Sequence, residues 1–314
     1  MTAPVFPIGG RVTAGPRGGV PGLLANLARR PNGLVGLVIL AVFTVLAVAP
    51  DLLVGPLQTA VTATGGDFEP PSAAFPLGTD ELGRSILNLT VHATRVSMII
   101  GLLATLVTVL IGVVVGIASG YIGGRFDAIM MRLADFFLVM PTFVLAIILT
   151  AIIRDVLSGQ TADIFGIKLG LLVIVVVIGI TSWSSTARII RAQTLSLRER
   201  AFVDRARVIG ASAGHIMRHH ILPNVMNLIV ANVVLTFAGA ILTETTLSFV
   251  GLGDPLQPSW GQILESARIH SALGLGAWWY FAPAAIAVVL IVFAFTLLGA
   301  ALDDILNPKL ATRR

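Results

Sequence analysis

A chain of 314 residues that is 56% hydrophobic and 12% charged, with a mean hydropathy of +0.93, lies far from a soluble domain, in which about 25% of residues are charged. Its composition places it in a bilayer. The net charge of +5 and the absence of cysteine come with no basic stripe interleaved with aromatics, which argues against nucleic acid as a partner, and they leave no disulfide framework or thiolate metal site.

In chain order, residues 1–31 come first. They are rich in Gly and Pro and lack the central apolar run of a signal peptide, so a disordered cytoplasmic tail is expected. A helix needs about 20 apolar residues to cross roughly 30 Å of hydrocarbon. Six stretches qualify, near 32–50, 96–119, 129–153, 170–188, 224–243 and 280–302. The fold class predicted is therefore all-α and polytopic with six transmembrane helices: residues 32–95 hold the first helix and an extracytoplasmic loop, and 96–310 a five-helix core with a cytoplasmic loop at 196–223. Pro141 lies inside the third span and should kink it. Asp135, one turn from Arg132, reads as half of a structural ion pair near the inner interface rather than a substrate contact, and Glu244 reads in the same way. A further outer segment near 247–279 is too polar to span.

Orientation follows from Lys and Arg at the span ends. With both termini in the cytoplasm, 16 of the 21 basic residues fall inside and only Arg84, Arg95, Arg154, Lys168 and Arg268 fall outside, as the positive-inside rule requires. In the outer loop Asp67, Glu69, Asp80 and Glu81 make a polar surface that a spanning bundle does not itself need.

The densest cluster of Arg and His sits in "AFVDRARVIGASAGHIMRHHILPN", residues 201–224. Phe202, Val203, Ala206 and Ile209 fall at helical spacing, with Arg200, Asp204, Arg205 and Arg207 on the other face, which predicts a short amphipathic helix. Gly210 is placed to end it in a left-handed cap, and Pro223 suits the first turn of the next span. Such a helix could rest on anionic lipid headgroups or dock on a partner protein. His215, His219 and His220 could suggest a metal, but no carboxylate completes a set. Asp303 and Asp304 are adjacent and point apart on a helix. The only lysines, Lys168 and Lys309, follow Ile167 and Pro308, so there is no P-loop. No catalytic constellation and no bound cofactor are expected.

The stretch 201–224 resembles the cytoplasmic EAA loop of bacterial ABC importer permeases: Asp204, Arg205 and Ala206 hold its first three places, followed by Gly210, His220 and Pro223. Asp204 stands where Glu is usual, and Arg205 where Ala is. "FPLGTDELGRSIL" (75–87), "GGRFDAIMMRLADFFLVMPTFVLAIIL" (123–149), "ETTLSFVGLGDPLQPSWGQIL" (244–264) and "FTLLGAALDDILNPK" (295–309) resemble the C-type permeases of the dipeptide, oligopeptide and nickel branch, with Ala74 replacing an expected His and Ser85 an expected Asp. The resemblance implies an inner-membrane, type I permease subunit that catalyses nothing itself. It would pair with a second homologous permease subunit and an extracytoplasmic solute-binding protein, while two ABC ATPase subunits or domains carry ATP and Mg2+. It implies that Phe202, Asp204, Arg205, Ala206, Gly210, His220 and Pro223 belong to a coupling helix that docks on the ATPase, with Ala206 on the docking face. Asp80, Glu81 and Arg84 would face the binding protein. A nickel or other chelate permease, and a channel or secondary carrier not driven by ATP, stay open beside the peptide importer.

Overall fold

The structure is a computed structural model that describes residues 19–157, 163–164, 167–254 and 257–306. Helices α1 (Gly19–Ala28) and α2 (Pro31–Val48) lead through α3 (Pro50–Val54) and an irregular segment to α4 (Ile86–Ile122), which is followed by α5 (Gly124–Val139) and α6 (Thr142–Val156). A two-residue antiparallel pair, β1 (Asp163–Ile164) and β2 (Ile167–Lys168), precedes α7 (Leu169–Arg198). Then come α8 (Ala201–Val208), α9 (Ala213–Ile216), α10 (Leu222–Leu247), α11 (Trp260–Ile269) and α12 (Trp278–Leu306). Among the described residues, five of these helical stretches are long and apolar enough to cross a membrane, and α5 with α6 makes a sixth span broken by a 95° bend.

That bend is far sharper than the expected kink. Met140 has extended dihedrals (φ −70°, ψ 133°) and Pro141 precedes α6. A proline disfavours α geometry in the residue before it and removes a helix N–H, so the break falls at this pair. Two other expectations need correction. Residues 19–28, assigned to a disordered tail, form α1, because Leu27 is buried in a cluster with Leu298, Ala301 and Leu302. Residues 86–95, assigned to the outer loop, are the first turns of α4. Asn88, His92 and Arg95 lower the hydropathy of this stretch, but Ile86, Leu89 and Ala93 pack into the core between them. At 1.5 Å per residue the 37 residues of α4 reach about 55 Å, well beyond the hydrocarbon thickness.

The bundle is held by close helix contacts. Gly112, Gly116 and Gly120 recur every fourth residue along α4 and face α7. A Cβ at Gly112 would lie 2.6 Å from the Thr186 side chain, one at Gly116 2.7 Å from the Ala187 carbonyl oxygen, and one at Gly120 2.7 Å from the Thr194 side chain. Gly179 of α7 accepts the Val107 side chain of α4 in the same manner. On the other side of α4, Gly101 admits Ile241 of α10 at 2.6 Å. Phe237 of α10 stacks on Phe295 of α12 at 4.1 Å between centroids, and Gly36 of α2 meets the Ala294 carbonyl of α12. Packing thus runs from α2 through α12, α10 and α4 to α7, with α5 and α6 against α7.

The ends of the bundle differ in chemistry. One end joins Arg30 to Asp304 at 2.9 Å and carries the 199–221 connection. At the other, Arg95 donates to the last carbonyls of α2, those of Ala47 (2.9 Å) and Val48 (3.0 Å), satisfying acceptors that a helix end leaves open. Replacing Gly116 by Leu should force α4 and α7 apart and destabilise the protein by about 2 kcal/mol, as overpacked cores do. The melting midpoint of the solubilised protein should fall, whereas Gly214→Ala, with nothing within 4 Å of the new methyl group, should leave it unchanged.

Candidate functional site

The connection between α7 and α10 is built as a rigid bracket. Helix α8 ends in a Schellman arrangement: Ala211 N–H donates to Ala206 O and Gly210 N–H to Arg207 O, both at 3.0 Å, with Gly210 at φ +84°. This is the left-handed geometry that glycine adopts without strain. The Ser212 hydroxyl then accepts from His215 N–H and caps α9, and a π-helical turn, Met217–Ile221, leads into α10 with Pro223 in its first turn. Gly210 and Pro223 therefore hold the positions expected of them.

Each residue expected in the coupling loop now has a place. Val203 and Ala206 are buried against the chain itself, in a cluster with Ile190, Ile216, Ile221 and Val225. Phe202 and His220, both half-buried, approach each other at 6.4 Å. Arg207 fastens the helix to the end of α4: its guanidinium lies 5.3 Å over the Tyr121 ring, donates to the Tyr121 hydroxyl at 3.4 Å and pairs with Asp204 at 3.2 Å. Asp204, Arg205 and Val208, at helical spacing, face outward with Ile209 beside them. The structure corrects two sequence assignments here. Ala206 is 4% exposed and turned inward, so a large side chain there would lift α8 off its own bundle before meeting any partner. Ile209, expected on the buried face, is 84% exposed and Val208 86%, because the helix stops at Val208 and the chain turns at Gly210 before the next residue can rotate inward. Sequence reasoning missed Val208 and Ile209 as outward residues because periodicity assumes an uninterrupted helix.

At the opposite end, the residues expected to meet a binding protein are mostly spent inside. The Asp80 side chain is fully buried. It accepts from Leu82 N–H (2.9 Å), Arg84 N–H (2.8 Å) and Arg84 Nε (2.7 Å). Burial pushes its carboxyl above the ordinary value, while the Arg84 guanidinium and the two amides pull the other way. Glu81 accepts a short hydrogen bond from the Tyr280 hydroxyl and lies 3.8 Å from Arg84 and 3.7 Å from His270. Glu69 accepts from Gly66 N–H. Of the four acids only Asp67 is exposed. Asp80 and Arg84 thus lock the 80–84 turn on itself and Glu81 pins it to Tyr280 of α12, while Asn88 of α4 holds Gln58 and the Val54 and Pro56 carbonyls. This clamp was misread because a run of charges in an outer loop usually faces water.

The acids in the spans differ from expectation too. Asp135 pairs with Arg188 of α7 at 3.0 Å, not with Arg132 on its own helix, and a neighbouring bidentate pair joins Arg191 to Asp127 with two contacts of 2.6 Å. Glu244 has no cation beside it among the described residues. Its carboxyl group accepts from the hydroxyls of Ser97 (3.2 Å) and Ser248 (2.9 Å), and Ser97 in turn accepts from Trp260 N–H at 3.2 Å, tying the start of α11 to α4. His215 and His219 stack at 4.3 Å, and among the described residues no group of three or more His, Cys, Asp or Glu is placed to hold a metal ion.

A helical bundle with one broken span, a rigid basic bracket at one end and a clamped loop at the other is a polytopic permease. The chain belongs to the family described as "Binding-protein-dependent transport system inner membrane component", which it matches over residues 112–312. It is 35% identical over 286 residues to the dipeptide transport system permease protein DppC of Bacillus subtilis (strain 168), covering 91% of this chain and 84% of that protein. It is 34% identical over 289 residues to the oligopeptide transport system permease protein OppC of the same organism, covering 91% and 89%. The di/tripeptide transport system permease protein DppC of Pseudomonas aeruginosa (strain UCBPP-PA14) matches at 34% identity over 244 residues, covering 77% and 75%.

Replacing Asp80 by Ala should leave Arg84 and two amides without their partner at a cost of about 3 kcal/mol. Limited chymotrypsin digestion of the solubilised protein should then cut at Leu82, which is 44% exposed, much faster than in the unaltered chain. An unchanged cleavage rate would show that the clamp does not hold the loop.

Proposed function

We propose that this chain is the membrane permease subunit of an ATP-driven importer of di- or oligopeptides. Together with a second, homologous permease it encloses the path, two ATPase subunits or domains power it from the cytoplasm, and an extracytoplasmic binding protein delivers the solute. The substrate class rests on what the relatives above are named for. The observation that carries the coupling is the outward face of α8, where Asp204 and Arg205 stand beside two adjacent aliphatic side chains, Val208 and Ile209, on a helix fastened to its own bundle by Val203, Ala206 and Arg207. A helix held this firmly can transmit a push, and an exposed aliphatic pair at a charged, water-facing end suits a protein groove.

Ile209→Glu should place an unpaired charge in that groove, and Gly210→Val should strain a left-handed residue by roughly 1 kcal/mol or more. In each case the permease should stay in the membrane while the ATPase is lost on purification or hydrolyses ATP without uptake. A helix that merely rests on lipid predicts stoichiometric ATPase and normal uptake in both variants, and that result would sink the assignment.

The orientation is supported by the division of basic residues between the two ends. In intact cells, a cysteine at Gly66 should react with an impermeant thiol reagent and one at Ser212 should not. The chain has no cysteine of its own to confuse the labelling. Reaction at position 212 would reverse the topology.

A further inference from the structure

Between α4, α7 and α10, midway along the 30-residue α7, lies a cavity of about 190 Å³ lined by Thr108, Ser182, Ser185, Thr236, Gly239 and Thr243, with two aliphatic neighbours. Five of its eight lining residues carry a hydroxyl, and none is charged. It opens onto the bundle surface at Ser185 and Gly239, which are exposed. A Cβ added at Gly239 would meet nothing within 4 Å.

Hydroxyls in membrane helices usually return a hydrogen bond to a carbonyl one turn back, and many here do: Thr105 donates to Gly101 O, Thr181 to Val177 O and Thr194 to Ile190 O. Thr108 does not. It is 1% exposed, its hydroxyl finds no partner among the described residues, and it lines the cavity. A buried donor left unmatched carries a cost that a ligand would relieve. Ser182 and Ser185 likewise make no side-chain hydrogen bond among the described residues. The volume is well below the roughly 300 Å³ of a complete small-molecule site, as suits one wall of a site whose facing wall comes from another subunit.

We infer that this groove is a contact site for the main chain of the transported peptide. The inference rests on the peptide-importer reading and adds which atoms of the substrate are held. A peptide group presents one donor and one acceptor whatever its side chain, and a hydroxyl can serve either. An uncharged hydroxyl wall can therefore accompany any peptide through a water-poor passage. A charged wall in such surroundings would hold one class of side chain and repel another. Selection among peptides then falls to the binding protein rather than to this groove.

A competing occupant is a helix of the second permease, since small and hydroxyl residues also let membrane helices approach closely. The test uses the complete transporter, with both permeases, the ATPases and the binding protein, in proteoliposomes given radiolabelled Ala-Ala-Ala, Ala-Glu-Ala and Ala-Lys-Ala. The triple variant Thr108→Val, Ser182→Ala, Thr236→Val removes hydroxyls at nearly constant volume. Uptake of all three peptides should fall by a common factor of about ten or more, the consequence of losing hydrogen bonds to a desolvated main chain. Thr108→Ser, which restores the hydroxyl, should transport nearly as well as the unaltered chain. Unchanged uptake, or a fall confined to one side-chain charge, overturns the inference. So does loss of the second permease from the purified variant complex, which would make the groove a packing surface. If the unaltered transporter imports none of the three peptides, the peptide reading itself fails, and that outcome is visible before any variant is made.

Discussion

Backbone proximity between α4 and α7 is the constraint on which the rest of this molecule depends. In lipid, apolar surface gains nothing by leaving solvent, so helices associate through van der Waals contact and hydrogen bonds, and both require close approach. The glycines at 112, 116 and 120 supply it over more than two turns of α4. Because α7 is set against α4 in this way, its serines reach the mid-bundle cavity. Its arginines emerge where α5 can meet them, and its last turn delivers the chain to the bracket at α8.

The broken third span is a second consequence of α7's position. Arg188 and Arg191, one turn apart, face Asp135 and Asp127 of α5 and hold that half-helix alongside α7. The Met140–Pro141 break then lets α6 leave at 95°. A single straight helix could not keep both ion pairs and still place Ala146 in the core around Leu171 and Ile174. The two pairs differ in weight. Arg191 and Asp127 are partly buried and bidentate, the stronger geometry, whereas Arg188 and Asp135 are about half exposed and contribute less.

The two ends of the bundle use charge in opposite ways. At the α8 end, charged side chains sit on the outside around an aliphatic pair, and only Arg207 turns back to grip Tyr121. At the other end, Asp80, Glu81 and Arg84 are folded into one another and into Tyr280, and Glu244 is surrounded by hydroxyls. One end is arranged to be touched, and the other is held firm around its loop.

Hydropathy placed six apolar segments and the polar outer segment, and local backbone sterics placed the glycine cap at 210 and a kink at Pro141, which the fold sharpens into a break of 95°. The motifs of the 201–224 stretch were likewise legible in order and spacing. Which way each residue points was not. Ala206 and Ile209, which periodicity puts on one face, part company, Ala206 turned inward and Ile209 outward, since a helix of eight residues ends before its pattern completes. Asp80 and Glu81 look like a surface until the local turn brings Arg84 onto Asp80 and the fold brings Tyr280 and His270 to Glu81 from distant parts of the chain. Gly112, Gly116 and Gly120 gained their meaning only from the fold, which shows that α7 is the helix they receive. The hydroxyl groove was invisible, because Thr108, Ser182 and Gly239 come together only when three helices converge, and local sequence carries no record of long-range proximity.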